Sequence, residues 1–116
     1  MVIDLKIGDQ TFKAKAMAST DRYYMAIFGI DPIVEQAKPG FGAGDLISFM
    51  ERMCFVMIKQ AELDDPAKMT NLTAIDYLKW LDTVERSDLF AIIGDIRALY
   101  EGQKAPTSTQ KKRAEK

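Results

Sequence analysis

The chain has no histidine and a single cysteine, Cys54, among 116 residues. Without histidine it lacks the commonest general base and the commonest metal ligand. A Ser-His-Asp or Cys-His arrangement cannot be assembled from it. One cysteine closes no internal disulfide and makes no structural zinc site. A lone thiol inside an apolar stretch suits a reducing compartment. No apolar run approaches the roughly 20 residues needed to span a bilayer. The first residues lack the basic-then-apolar order of a secretory signal. These features point to one domain in the cytoplasm, with no cofactor and no enzyme chemistry.

Two stretches invite a chemical reading and do not support it. Pro39 to Gly44 reads PGFGAG. It lacks the Gly-Lys-Ser/Thr of a phosphate-binding loop and runs into Asp45, so it is a flexible connector whose acidic neighbour caps the next helix. Glu62, Asp64 and Asp65 cluster before Pro66. They have no calcium-loop spacing, and Asp-Asp-Pro is ordinary helix-exit chemistry.

What is present is apolar pattern. Residues 45–63 read as one long helix, and the remaining elements are organised around it. At about 100° per residue, Leu46, Ile47, Phe49, Met50, Met53, Cys54, Val56, Met57, Ile58 and Ala61 cover an arc of about 200°. An arc that wide calls for packing on both flanks. Met50, Met53 and Met57 share one stripe, which either fills a core or lines an adaptable groove. Ser48, Glu51, Arg52, Lys59 and Glu62 form the opposite stripe. Phe55 projects into it between Arg52 and Lys59. It is either covered by a loop or the tail, or is a partner contact, because exposed aromatics are enriched where proteins meet.

Around this helix the rest follows in order. Ile3, Leu5 and Ile7 alternate with Asp4 and Lys6, Gly8-Asp9 supplies a turn, and Phe12, Ala14 and Ala16 alternate with Lys13 and Lys15. Residues 2–17 therefore form a β-hairpin with one apolar face. Its edges are unpaired and open to strands of another copy of the chain, which its lysines discourage without forbidding. Ser19 caps a helix from Thr20 to Phe28, stopped by Gly29. Asp31-Pro32 starts a short helix that ends before Pro39. A polar loop follows Pro66. Thr73 opens the next helix in a capping box with Asp76. Ser87 caps a last helix, residues 88–101, in which Gly94 hints at close packing with a neighbour. Phe41 either tucks into the core or is a mobile contact, and Trp80 sits at the core boundary or meets a ligand. The fold class is mainly α with an N-terminal β-hairpin, an α+β arrangement of four to five helices around a long central one. The domain covers residues 1–102.

From Gln103 the composition changes. Residues 103–116 carry five basic side chains against one acidic, a net +4, leaving the body with 11 basic and 16 acidic, a net −5. With no side chain larger than alanine among its apolar residues, this tail is expected to be disordered in isolation. A body this acidic repels phosphate, so nucleic acid is disfavoured as a partner. Only the tail could attract it, as in a small regulatory or adaptor protein.

The hairpin VIDLKIGDQTFKAKA, the capped helix entered at Ser19-Thr20-Asp21, the further helices and the abrupt Lys/Pro/Ser/Thr tail together resemble the tail assembly chaperones of long-tailed bacteriophages and prophages. The resemblance is one of layout over most of the chain and involves no invariant motif. It implies a non-enzymatic protein of the bacterial host cytoplasm, absent from the finished particle. Such proteins coat the apolar tape-measure protein and recruit tail-tube subunits during tail morphogenesis. In many relatives a ribosomal frameshift near the end of the gene yields a longer form, and Gln110-Lys111-Lys112 is where a slippery sequence would fall. Partner contacts are then expected at Phe55, Phe41, Trp80, Arg52 and Lys59. The expected partners are a tape-measure protein, a tail-tube protein and, as a homo-oligomer, a second copy of the chain.

Overall fold

A computed structural model describes residues 2–102. The expectations placed on residues 103–116, including the disordered tail and Gln110-Lys111-Lys112, lie outside the described residues. The order is β1 (Val2–Ile7), β2 (Gln10–Lys15), α1 (Thr20–Phe28), α2 (Pro32–Gln36), α3 (Ala43–Leu63), α4 (Pro66–Thr70), α5 (Ala74–Leu81), α6 (Arg86–Ala91) and α7 (Ile93–Tyr100). The mainly helical α+β class expected from the sequence is the one observed, with seven helices among the described residues.

β1 and β2 form a two-stranded antiparallel sheet with Ile7 opposite Gln10 and Val2 opposite Lys15. Gly8 takes φ +62°, the left-handed conformation that the first position of a tight two-residue hairpin loop demands. Alternation then puts Leu5, Ile7 and Ala14 into the core and leaves Asp4 and Lys6 in solvent.

α3 is the centre of the packing and touches β2, α7, α1, α4 and α5. Phe49, Met50 and every residue from Met53 to Ile58 are buried. The three methionines of the central stripe are core filling, at most 1% exposed. Gln60 is also buried. Its amide accepts from Thr20 Oγ1 at 2.7 Å and donates to Ser19 Oγ at 3.0 Å, which ties the start of α1 to the end of α3. Ser19 thus stands at the start of α1, but its hydroxyl serves Gln60 and makes no cap hydrogen bond.

Three local expectations are corrected. The loop after Pro66 contains α4, capped by Asp65, whose carboxylate accepts from the Ala67 amide at 3.0 Å, and anchored by buried Met69. Asp65-Pro66 repeats the Asp31-Pro32 signal that starts α2. The last helix is two helices, broken at Ile92, and the first of them starts at Arg86 with Glu85 rather than Ser87 in the cap position. Gly94 lies just past that break, and a Cβ there would meet nothing within 4 Å, so close packing is not its reason.

Candidate partner-binding cleft

The sequence-derived contact residues do not form one exposed patch. Phe55 is fully buried. Its ring lies 5.6 Å from Tyr77 and 5.9 Å from Trp80, and Trp80 meets Phe12 of the hairpin at 6.0 Å. The expectation of an exposed Phe55 is overturned by α5, which covers this flank of α3. Arg52 and Lys59 are not brought together: Arg52 lies over the Phe28 ring at 6.0 Å and Lys59 over Phe55. Long basic side chains lay their stems along apolar surface while their heads reach water, and Lys59 Nζ sits 6.0 Å over the Phe55 ring. Trp80 is 7% exposed, a core-boundary residue. Phe41 is half-buried and edge-on to Phe49 at 6.4 Å, at a different part of the core.

Arg52 is held by structural partners. Its Nε donates to Tyr24 Oη at 2.8 Å, its guanidinium forms an ion pair with Glu35, and Tyr24 Oη donates to the other Glu35 oxygen at 2.6 Å. Burial, then the hydrogen bond to Glu35, pushes the Tyr24 hydroxyl well above the ordinary phenol range. Burial works against the charge on Arg52, but Tyr24 and Glu35 outweigh it and raise its pKa. The triad pins α2 to α3. Lys59 pairs with Glu62 at 2.9 Å. Asp64 accepts from Lys15 Nζ at 2.9 Å. The acidic cluster after α3 is therefore engaged in ion pairs and a helix cap. Among the described residues no three His, Cys, Asp or Glu side chains come together as a metal would need. Burial raises the Cys54 thiol far above its ordinary range, so it is no thiolate. No described helix is long and apolar enough to cross a membrane.

Exposed apolar side chains occur on α2, at Ile33 and Val34, and around a cleft on another face. A cleft of about 470 Å³ opens between the first turns of α3 and the α5–α6 junction. Ile47, Leu81, Val84 and Leu89 form its apolar lining, and Glu51 and Arg86 supply charge. Phe90 also lines it and is 58% exposed. On α6, Leu89 points into the core and Phe90, about 100° further round the helix, points outward. On α5, Tyr77 and Trp80 face inward. At about 100° per residue, Leu81, Leu78 and Ile75 step around the helix from the cleft toward solvent. Leu78 and Ile75 are 55% and 63% exposed. The apolar lining thus continues as a strip along α5. From the sequence, Ala74, Tyr77, Leu78, Leu81 and Val84 form one apolar stripe, and Leu89, Ile92, Ile93, Ile96 and Leu99 face inward on the last helix. Tyr77, Leu81, Val84 and Leu89 pack as that reading expects, whereas Ala74 and Leu78 are exposed, because α5 turns Trp80 rather than Leu78 toward the core. Phe90 gave a signal only by falling outside the Leu89/Ile92/Ile93 stripe.

No protein-family model, curated protein or solved structure matches the chain.

Proposed function

We propose that this protein is a non-enzymatic chaperone or adaptor that holds an apolar helix of another protein in the α3/α5/α6 cleft. The observation that carries this reading is the cleft itself, with Phe90 exposed at its lip and the Leu78–Ile75 strip running away from it. Exposed apolar surface bordered by charge is the usual form of a protein-docking site. Apolar positions spaced three apart on α5 suit an amphipathic helix laid alongside. Glu51 and Glu85 stand beside Arg86 around the opening. A helix carrying lysine or arginine next to its apolar anchors complements that rim and the −5 charge of the body.

Among proteins of this kind, the layout favours a phage or prophage tail assembly chaperone working in the bacterial cytoplasm. The cleft would take apolar helices of the tape-measure protein before tail-tube subunits assemble on it. The test is co-expression with the tape-measure protein encoded nearby, followed by co-purification. Wild type is expected to retain it and Phe90→Glu to lose about tenfold in affinity. The unfolding midpoint should stay near wild type, because Phe90 is largely exposed. Capture by Phe90→Glu equal to wild type would overturn the cleft as the site. Failure of wild type to bind the tape-measure protein would overturn the phage assignment.

A further inference from the structure

The outer edge of β1 is unpaired and carries a self-complementary charge pattern. In a two-residue hairpin the residues flanking the loop exchange hydrogen bonds, so Ile7 and Gln10 do so here, as do Leu5 with Phe12 and Ile3 with Ala14. The backbone groups of Val2, Asp4 and Lys6 therefore point away from β2. Among the described residues none of them meets a hydrogen-bond partner from another element. Their side chains are exposed. Six residues of uncovered strand edge form a template for another strand.

We propose that β1 pairs antiparallel with β1 of a second copy of this chain, with Leu5 opposite Leu5 across a two-fold axis, to make a continuous four-stranded sheet. Three observations select this occupant and register. First, the outward backbone groups match, since Asp4 of one copy and Lys6 of the other become a mutually hydrogen-bonded pair, and the symmetry makes two such pairs. Second, the charges match. Asp4 already bonds Lys13 across the hairpin at 2.8 Å. The pairing therefore sets up a row of Lys13, Asp4 and the second copy's Lys6 in alternating sign. The register shifted by one pair would put Asp4 against Asp4. Third, the buried face stays continuous, with Phe12 and Leu5 of one copy meeting Leu5 and Phe12 of the other. The edge of β2 offers no equivalent. Its outward residues are Thr11, Lys13 and Lys15, Lys15 is engaged by Asp64, and α3 packs against this strand. The same groups that discourage random strand addition thus specify one partner, the chain itself. The proposal does not depend on what the cleft binds.

The experiment is light scattering after gel filtration over a concentration series for wild type, Asp4→Lys, Lys6→Asp and an equimolar mixture of the two variants. In the proposed register each variant alone faces two like-charged pairs, whereas the mixture restores opposite charges at both. Wild type is expected to dimerise, each variant to dimerise roughly tenfold more weakly, and the mixture to recover as a heterodimer. Recovery on mixing cannot come from misfolded variants. A wild type that remains monomeric up to its solubility limit would overturn the proposal. So would a dimer that neither variant weakens, or variants that weaken without recovering on mixing.

Discussion

A Cβ on Gly8 would collide with the Asp88 carboxylate. The hairpin loop is thus seated on the first turn of α6, and Gln10 Nε2 holds it there by donating to the Thr83 carbonyl at 2.9 Å. Gly8→Ala meets two penalties: the left-handed φ, about 1–2 kcal/mol, and the Asp88 contact, which a rotation of that side chain relieves in part. The substitution should cost about 1–3 kcal/mol in urea unfolding. Adding Asp88→Ala should recover only the smaller, contact part. A neutral Gly8→Ala would contradict the seating.

Phe55 and Trp80 touch but should respond differently. Phe55→Ala empties a fully buried site and is expected to cost about 3–5 kcal/mol. The Trp80 indole N–H is buried with no acceptor among the described residues. Trp80→Phe removes that unmatched donor along with some packing, two terms of opposite sign, and should change stability by less than about 1 kcal/mol. Chemical denaturation of the two variants side by side checks the contrast.

The Tyr24–Glu35–Arg52 triad predicts strong coupling. Arg52 and Glu35 side chains are 24% and 14% exposed, so solvent screens the pair only partly. Arg52→Met leaves Glu35 without its ion pair and should cost about 1–3 kcal/mol. Arg52→Met with Glu35→Met should cost less than the sum of the single changes. Additive costs in a double-mutant cycle would mean that the pair contributes nothing to holding α2.

Alkaline pH should weaken the fold. Burial, then the negative charge of Glu51, pushes Tyr77 up to about 12 from 10.0. Burial also raises Tyr24 and Tyr100, Tyr100 with help from its hydrogen bond to Asp21. The unfolded chain loses these protons near pH 10 while the folded chain keeps them. The stabilisation is therefore complete below about pH 10 and is lost as pH rises through the folded value. Each tyrosine contributes at most about 1.4 kcal/mol per pH unit. Urea midpoints measured between pH 9 and 12 should fall steadily, and Tyr77→Phe should make the fall shallower. A flat profile would contradict the burial of these hydroxyls.

Local grammar was readable wherever one residue type decides a backbone conformation. Gly8 and Gly29 take the left-handed conformations their positions implied, the Thr73–Asp76 box caps α5, and Asp31-Pro32 starts α2. The same grammar stood at Asp65-Pro66 and marks α4. The helix wheel succeeded for Phe49, Met50, Met53 and Met57 and failed for Phe55. A wheel sorts faces by polarity, and Arg52 and Lys59 made that face look solvated.

The amino-acid sequence alone determined the hairpin, the central helix, the mainly helical α+β class and the absence of histidine chemistry, because each follows from short-range periodicity, turn residues or composition. Only the tertiary structure decided that Phe55 is core, that the last helix breaks at Ile92, and that Phe90, Leu81 and Ile47 line one cleft. These depend on which elements lie against α3. Residues such as Phe55 and Tyr77, or Gly8 and Asp88, are far apart along the chain. Nothing in the spacing of either stretch records that the other covers it.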